Sequence, residues 1–434
     1  MDSHKSAQVL RRHDFVLFAI MGILAGCGLI YEYLLSHYAG RVLGAVEQVI
    51  FAMIGVMIVS MGLGAFAARI FKSYFTAFVW LEVLIALIGA TSVLVLAATM
   101  ALANLLPQIL METFALPPDL LPRGGMISWA HKIASAMPYV AGFILGFLIG
   151  MEIPLIASIR ESLHGEHIEH NTGSIYGADY IGAGIGAAIW VLFMLNLPPT
   201  QAAVITASVN LVVGLLFYSL YRKRIRLGPL VLAAHGLMAV IIGVIAWHGT
   251  DWDNAMEDLL YKDKVIFSYN TQYQHVTVTE RIMDPAKPKI ISLFINGRSQ
   301  FSSSDETIYH AMLVAPVMQA AARHDNILII GGGDGLALRD VLRWQPKRVE
   351  LIDIDQAIVD FFTTPNIVDG EVINRALLDL NQHAFSDPRV NTRFGDAFIK
   401  VDELIQQGDR YDAIIVDLPD PSHPDLNKLY SARF

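Results

Sequence analysis

A glycine-rich loop followed by a spaced acid is the strongest chemical pattern in the sequence. The segment NILIIGGGDGLALRDVL predicts a buried strand, a tight turn containing Gly331 and Gly333, and a helix. Glycines at such a turn let the backbone approach a ligand at the start of the helix. Asp353 ends the next predicted strand, 20 residues after Gly333, where an acid commonly binds ribose hydroxyls. Together they predict a nucleoside site, and the lack of GxxxxGK[ST] disfavours ATP hydrolysis.

A second chemical pattern is the carboxylate pair in DLPDP. Asp417 and Asp420 stand three residues apart, directly after the apolar stretch AIIVDL. An acid pair at the end of a strand can bind a cationic amine and accept its proton. The alternative is that these acids serve only turn formation or helix capping.

The elements that position these residues follow a repeated strand–helix order. RVELIDID, RVNTRFGDA and YDAIIVDLPD continue the order after the glycine loop, which predicts a parallel sheet with its ligand at the carboxyl ends of the strands. QYQHVTVTERI and KIISLFINGRSQF precede it and predict a small antiparallel β region. AIIVDL is apolar on both faces, which predicts an interior strand.

The charge distribution separates this region from a very apolar one. Residues 1–250 carry 25 of the 71 Asp, Glu, Lys and Arg side chains and net +1, whereas residues 251–434 carry 46 and net −10. A bilayer core needs about 20 apolar residues in a helix, and we predict seven such spans, in residues 15–36, 49–68, 76–103, 135–158, 174–196, 201–220 and 229–247. The broken stretch 107–132 is expected to lie at the membrane interface.

Glycines and carboxylates stand out within the predicted spans. The glycines recur every four residues and predict close helix packing in a compact bundle: Gly142, Gly146, Gly150, Gly182 and Gly186. Glu32, Glu152 and Asp179 are costly in hydrocarbon. Two interpretations remain, a polar site that holds an amine or a headgroup, and the favoured one, carboxylates that reach the interface or are satisfied locally.

Several classes of protein and site are excluded. The acidic second half offers no basic field, so a nucleic-acid partner is not expected. A single cysteine, Cys27 within an apolar run, excludes disulfide scaffolds and Cys-rich metal sites. No metal site is predicted.

From about Tyr273 to Phe434 the chain resembles the spermidine synthase family, the polyamine aminopropyltransferases, and in particular members with an N-terminal multi-spanning region. The motifs that carry the resemblance occur in family order: YQHVTV, FINGRSQFSSSDETIYH, LIIGGGDGLALRDVL, VELIDID, DPRV, GDAF, YDAIIVDLPDP and LYSARF. YEYLL, GMEIPL and ADYIGAGIGA are also similar to segments of the membrane-bound members.

The resemblance implies roles for individual residues. The nucleoside of decarboxylated S-adenosylmethionine, a co-substrate and not a prosthetic group, would be bound by Gln274, Gly331, Gly333, Asp353, Asp396, Ala397 and Pro424. His310 and Asp334 would line the aminopropyl and amine channel, Asp417 would accept the proton, and Asp420 would hold the incoming ammonium. Asp353 replaces a frequent Glu, and Ala311 stands where soluble members usually carry Glu, which leaves the acceptor amine open.

These patterns predict a transmembrane helical domain (1–250), a linker with a small β domain (251–304) and a Rossmann-like, methyltransferase-type α/β domain (305–434). The expected reaction transfers an aminopropyl group to an amine such as putrescine and releases methylthioadenosine. The alternatives are an S-adenosylmethionine-dependent methyltransferase-like enzyme and a non-catalytic polyamine-binding or transport protein. Because the family continues through further strands, we expect these 434 residues, expressed alone, to be an incomplete enzyme that is poorly stable in its soluble half and catalytically silent.

Location and assembly are less constrained by the sequence. We expect a multi-pass protein of the cell membrane, in contact with the lipid bilayer, and a homo-oligomer is left open. With seven spans, ten Lys and Arg residues lie on the same side of the membrane as the N-terminus, and three lie on the opposite side. Charge counting therefore places the N-terminus in the cytoplasm and the segment after the seventh span outside. The co-substrate is expected only in the cytosol, and we therefore favour the cytoplasmic face for the catalytic domain.

Overall fold

The structure, a computed structural model, describes residues 2–43, 46–114, 125–165, 171–261, 263–284, 286–368, 370–418 and 428–434. The chain divides into two compact units, Met1–Lys262 and Asp263–Phe434. The first unit is helical and the second mixes helices with strands.

The described part of the first unit contains eight α-helices. They are α1 (Asp2–Leu43), α2 (Val46–Ala67), α3 (Tyr74–Phe114), α4 (Met126–Ile149), α5 (Glu152–His164), α6 (Asn171–Leu192), α7 (Pro199–Tyr221) and α8 (Gly228–Tyr261). Seven stretches are long and apolar enough to cross a bilayer, with α4 and α5 forming one of them. They coincide with the seven apolar runs predicted from the sequence.

Two predicted boundaries are corrected. Helix α8 continues to Tyr261, so residues 251–261 extend the last helix and the division falls at Lys262 and not at residue 250. Helix α3 continues through Pro107 to Phe114, and α4 begins at Met126, so much of the predicted interfacial stretch is helical. The apolar pattern on both sides of Pro107 continues the helix despite the proline. Residues 115–124 lie outside the described residues.

Close packing at glycines, predicted from their four-residue spacing, is confirmed. A Cβ added to Gly182 of α6 would lie 1.9 Å from the carbonyl oxygen of Gly22 in α1, and one added to Gly186 would lie 2.5 Å from that of Gly26. Gly150 packs against α2 in the same way, since a Cβ added to it would lie 2.0 Å from the carbonyl oxygen of Met61. Backbones meet directly at these positions, where any side chain would separate the helices.

We expect Gly182→Leu to destabilise the helical unit by at least about 2 kcal/mol, because the new side chain would force α6 away from the backbone of α1. The thermal melt of the purified protein in detergent measures the loss. Gly184→Leu is the matched control, since a Cβ added to Gly184 meets no atom within 4 Å. Equal melting temperatures for the two variants would contradict this packing.

The second unit contains an antiparallel and a parallel sheet. The antiparallel sheet has the order β1-β2-β3-β4 and comprises β1 (Lys264–Asn270), β2 (His275–Arg281), β3 (Ile290–Ile295) and β4 (Arg298–Ser302). The parallel sheet has the order β10-β5-β6-β9 and comprises β5 (Asn326–Gly331), β6 (Arg348–Asp353), β9 (Val390–Phe394) and β10 (Ala413–Asp417). A two-stranded pair is formed by β7 (Ile367–Val368) and β8 (Glu371–Val372).

Five α-helices accompany these strands within the described residues: α9 (Glu306–Ala320), α10 (Leu336–Leu342), α11 (Gln356–Phe361), α12 (Arg375–Leu380) and α13 (Ala397–Gln407). In chain order the parallel strands run fourth, first, second, third across the sheet, the order of a Rossmann-like half. Strand β5 is buried on both faces, with Ile327 and Ile329 in one core cluster and Leu328 and Ile330 in another. The predicted parallel sheet and antiparallel β region are both present.

Strand β10 was predicted to lie inside the sheet. Among the described residues it pairs with β5 alone, and Ile414 and Val416 are exposed on its face. One face of AIIVDL, with Ala413 and Ile415, is therefore buried in this sheet, and the other face is exposed.

Candidate functional site

The glycine loop follows the carboxyl end of β5 and contacts the carboxyl end of β10, the neighbouring strand. Gly331 pairs with Asp417 in the sheet and has a positive φ of 82°. A Cβ at Gly331 would lie 2.0 Å from the carbonyl oxygen of Asp417, so only glycine fits this position. The N–H of Gly332 donates to the same carbonyl at 3.1 Å. The loop is thus fixed against the strand that carries the predicted proton acceptor.

The predicted ribose acid lies beside the same loop. A Cβ at Gly333 would lie 2.7 Å from Oδ2 of Asp353, so the lack of a side chain there keeps that carboxylate close to the loop backbone. Oδ1 of Asp353 accepts the N–H of Asp355 at 2.8 Å. Burial raises the pKa of Asp353 to about 6. The loop and the acid are adjacent, as their spacing predicted.

Gln274 reaches this region through Asp355, a residue that sequence reasoning missed. The Gln274 amide donates to Oδ2 of Asp355 at 2.9 Å, and the Thr271 hydroxyl donates to the same oxygen at 2.6 Å. Asp355 also caps α11 by accepting the N–H of Ala357 at 3.2 Å. The signal was available in VELIDID, where the last of the three acids precedes a predicted helix.

Asp396 and Ala397 begin α13 next to Asp353. The N–H of Gly395 donates to the carbonyl of Asp353 at 3.0 Å, which places the start of α13 beside the end of β6. Asp396 caps the helix by accepting the N–H of Phe398 at 3.0 Å. Its carboxylate also pairs with Lys428, which outweighs the effect of burial and lowers the pKa of Asp396. Ala397 is buried.

The predicted amine side of the site is a compact group of one imidazole and two carboxylates. Ligand atoms of His310, Asp334 and Asp417 lie within 4.8 Å of one another. Burial, and then the charge of Asp417, raise the pKa of Asp334 to about 7. Burial also raises the pKa of Asp417, whose Oδ1 accepts the hydroxyl of Tyr309 at 3.0 Å. Tyr309 was missed, although it directly precedes His310.

A buried ionic network orients His310. Its Nδ1 donates to the carbonyl of Glu306 at 2.8 Å and to the carboxylate of Glu306 at 3.0 Å. Arg339 grips that carboxylate with two hydrogen bonds of 2.9 and 3.0 Å and also donates to Asp340 at 2.9 Å. Burial opposes ionisation, but Arg339 holds the pKa of Glu306 below its usual value. The missed signal was the four-residue spacing of Glu306 and His310, which puts two side chains on the same face of a helix.

Two of the predicted site residues, Asp420 and Pro424, lie outside the described residues. The other nine fall at one edge of the parallel sheet, where strands and helices meet. Two carboxylates whose pKa values are raised by burial, beside an imidazole, can hold a cation and take up its proton. Their close spacing would also suit a divalent metal ion.

Comparison with known proteins is consistent with this geometry. Residues 306–434 match the family model described as "Spermine/spermidine synthase domain". The chain is 55% identical over 421 residues to the polyamine aminopropyltransferase of Shewanella oneidensis, covering 97% of this chain and 73% of that protein. It is 34% identical to polyamine aminopropyltransferase 1 of Streptomyces coelicolor, covering 97% and 72%.

Solved structures match over a smaller part. The spermidine synthase from Thermotoga maritima is 25% identical, with a TM-score of 0.29, over 35% of this chain and 47% of that one. A spermidine synthase in complex with the transition state analogue AdoDATO gives 25% identity and a TM-score of 0.30, over 37% and 50%. The identity and coverage shared with the curated relatives show that this chain belongs to the polyamine aminopropyltransferases.

Proposed function

We propose that the second unit transfers the aminopropyl group of decarboxylated S-adenosylmethionine to an amine such as putrescine, giving a spermidine-type polyamine and methylthioadenosine. The observation that carries the proposal is the convergence of Asp334, Asp417 and His310 beside a glycine loop that also contacts Asp353. Such a transfer needs one site for the nucleoside and one for the amine. Asp353 would serve the first, and Asp334 with Asp417 the second, at the same end of the parallel sheet.

The chemistry follows from the charges. The acceptor amine has a pKa near 10.4 and is cationic at neutral pH, so it is attracted to Asp334 and Asp417. Asp417 takes one proton, and the neutral nitrogen attacks the carbon next to the sulfonium. The C–N bond forms while the C–S bond breaks, and its electron pair returns to sulfur, which leaves as the neutral thioether methylthioadenosine. The Tyr309 hydroxyl orients the Asp417 carboxylate.

The nucleoside product tests this proposal. The purified protein, expressed from its own gene, is incubated with decarboxylated S-adenosylmethionine or S-adenosylmethionine and candidate amines, and products are identified by mass spectrometry. Methylthioadenosine with an elongated amine is expected. S-adenosylhomocysteine would instead identify a methyltransferase, and unchanged amine a protein that only binds polyamines. Full turnover in excess chelator is expected and would exclude a metal-dependent use of the acid cluster.

The titration of Asp334 makes amine binding pH-dependent. With a pKa of about 7, Asp334 is mostly protonated at pH 6 and mostly ionised at pH 8, while the amine stays cationic at both. We therefore expect the KM for the amine to fall about tenfold between pH 6 and pH 8, and Asp334→Asn to flatten this dependence. A wild-type KM that rises over this interval would contradict the assignment.

The same raised pKa affects stability in the absence of amine. The folded state holds the Asp334 proton more tightly than the unfolded chain, in which the aspartate has its ordinary pKa of 3.8. This contribution to stability is therefore fully present below about pH 4 and is lost as the pH rises through about 7. A bound ammonium reverses the loss, because it pairs with the ionised carboxylate.

We further propose that the helical unit is embedded in the cell membrane. Large apolar side chains face outward along its helices, among them Phe51, Phe66, Ile181 and Trp247, each at least 65% exposed. Outward apolar surface on this scale is unfavourable in water and favourable against lipid. The catalytic unit is placed on the cytoplasmic face, where its co-substrate is expected.

Labelling with a membrane-impermeant maleimide tests this sidedness. Cys27 is buried, so the wild-type chain is expected to stay unlabelled, whereas Lys287→Cys adds an exposed thiol to the second unit. We expect Lys287→Cys to react in inverted membrane vesicles and to stay unreacted in intact cells. Labelling in intact cells would place the second unit outside and would favour a non-catalytic function.

A further inference from the structure

Five polar side chains from five different helices are buried in the helical unit. They are Tyr31 of α1, Glu82 of α3, Glu152 of α5, Asn210 of α7 and His235 of α8, and each is at most 1% exposed. Sequence analysis singled out Glu152 but missed Glu82, a single acid within the apolar run TAFVWLEVLIAL. None of these groups takes part in the proposed aminopropyl transfer.

Asn210 and His235 lie close to Glu82, and the charge of Glu82 acts on Tyr31 and Glu152. The Asn210 amide donates to Oε2 of Glu82 at 3.0 Å. A Cβ added to Gly214 would lie 2.7 Å from Nε2 of His235 and 3.2 Å from the Cβ of Glu82, so the imidazole and this acid meet across one glycine. Tyr31 and Glu152 both interact electrostatically with Glu82.

Each of the five side chains also has a buried polar atom without a hydrogen-bond partner among the described residues. These atoms are the Tyr31 hydroxyl, Oε1 of Glu82, Oε2 of Glu152, Oδ1 of Asn210 and Nε2 of His235. Buried polar atoms are nearly always hydrogen-bonded in native proteins. Five such atoms in one buried group form a set of polar positions that a ligand can satisfy.

The unpaired atoms are acceptors. Nδ1 of His235 lies 2.9 Å from the carbonyl of Val231 and must donate to it, so Nε2 of the neutral ring carries a lone pair. Asn210 uses its NH2 group on the Glu82 carboxylate, which leaves its oxygen. The two carboxylates accept only, and the Tyr31 hydroxyl can either donate or accept. A ligand that satisfies these atoms must be rich in hydrogen-bond donors.

The carboxylates also lack a protein cation. None of the ion pairs within the part of the chain that the structure describes involves Glu82 or Glu152. Glu152 stands in the first turn of α5, directly after Gly150 and Met151, which keep helical backbone angles between α4 and α5 within the fourth candidate span. The carboxylate is therefore held well inside a candidate span, where an unpaired charge is costly.

We propose that Glu82, Glu152, Asn210, His235 and Tyr31 form a binding site for the primary ammonium group of an organic amine. An ammonium offers three donors and one positive charge, so it can satisfy three of the five unpaired atoms and balance the charge of one of the two buried carboxylates. The site lies in the helical unit, goes beyond the proposed transfer reaction and does not depend on it.

Equilibrium binding of radiolabelled 1,4-diaminobutane to the full chain in lipid nanodiscs tests the site. We expect two classes of binding site, one in the second unit and one in the helical unit. Glu82→Gln and Glu152→Gln should each weaken binding to the helical-unit class about tenfold to a hundredfold, the effect of losing one charge-assisted hydrogen bond. Asp417→Asn should leave that class intact, so failure of the transfer reaction and failure of this site are distinguishable. Tyr31→Phe should weaken the same class by less.

The controls address charge, folding and ligand type. Glu32→Gln changes a neighbouring acid of the same unit and should leave binding unchanged, and thermal melts verify that each variant is folded. The hexamethylated diamine, which has the same charge but no N–H donor, should not compete. Binding that survives both glutamine substitutions in folded protein, equal competition by the hexamethylated diamine, or displacement by a modest excess of Na⁺ would overturn the proposal.

Discussion

Replacing Asp417 by asparagine should lower the rate of aminopropyl transfer by roughly two to four decades, the usual worth of a positioned general base. Asparagine keeps the shape of the side chain but cannot take the proton from the incoming ammonium. Binding of methylthioadenosine should stay nearly unchanged, because the Asp417 backbone carbonyl that receives Gly332 is retained and Asp353 is untouched. Single-turnover kinetics and calorimetric titration with methylthioadenosine measure the two effects separately.

Asp402→Asn is the matched control for this experiment. Asp402 lies on the exposed side of α13 and forms none of the described contacts of the site. Its replacement should therefore change neither rate nor binding. Near wild-type turnover in purified Asp417→Asn protein would remove Asp417 from the role of base, and a parallel loss of methylthioadenosine binding would show that the substitution disturbs the glycine loop instead.

The position of this site followed from the sequence because parallel sheets bring strand ends together. Gly331, Asp353 and Asp417 each end or follow an apolar run, and the register pairs Gly331 with Asp417. Once the strand–helix order is read, the three residues must meet at one edge. The same rule gave the parallel sheet itself.

The residues that support the site could not be found in this way. Lys428 reaches Asp396 across 32 positions, and Arg339 reaches Glu306 across 33. Such pairs depend on how helices dock onto the sheet, which the spacing of apolar residues does not determine. Tyr309 and Asp355 lie close to predicted residues in the sequence. Their contacts with Asp417 and Gln274 depend on where the side chains point, which the sequence does not show.

In the helical unit, the seven apolar runs were readable because hydropathy sums over about 20 residues. The same summation hid Glu82, since one carboxylate hardly changes the average of an otherwise apolar run. The ends of α3 and α8 were misplaced for a related reason. Pro107 and the polar residues after His248 resemble breaks, yet α3 and α8 both continue past them.

The ionic network behind His310 should be the most sensitive point for the stability of the second unit. We expect Arg339→Leu to destabilise this unit by about 3–5 kcal/mol, because it leaves the Glu306 carboxylate buried without its cation. Hydrogen exchange measured by mass spectrometry on peptides from α9 and α10 reports the loss. The variant should also slow transfer, since His310 is held through Glu306.

Arg343→Leu is the matched control, because it removes the same charge from an exposed arginine instead of a buried one. Arg343 pairs with Asp340 at 3.0 Å but is 55% exposed, whereas Arg339 is 5% exposed. The exposed pair should contribute less than about 1 kcal/mol, so the same substitution four residues away should leave exchange almost unchanged. Glu306→Gln combined with Arg339→Leu should recover part of the loss, because it removes the unpaired charge together with its partner. If the double variant exchanges as fast as Arg339→Leu alone, the cost comes from lost packing of the arginine side chain and not from an uncompensated carboxylate.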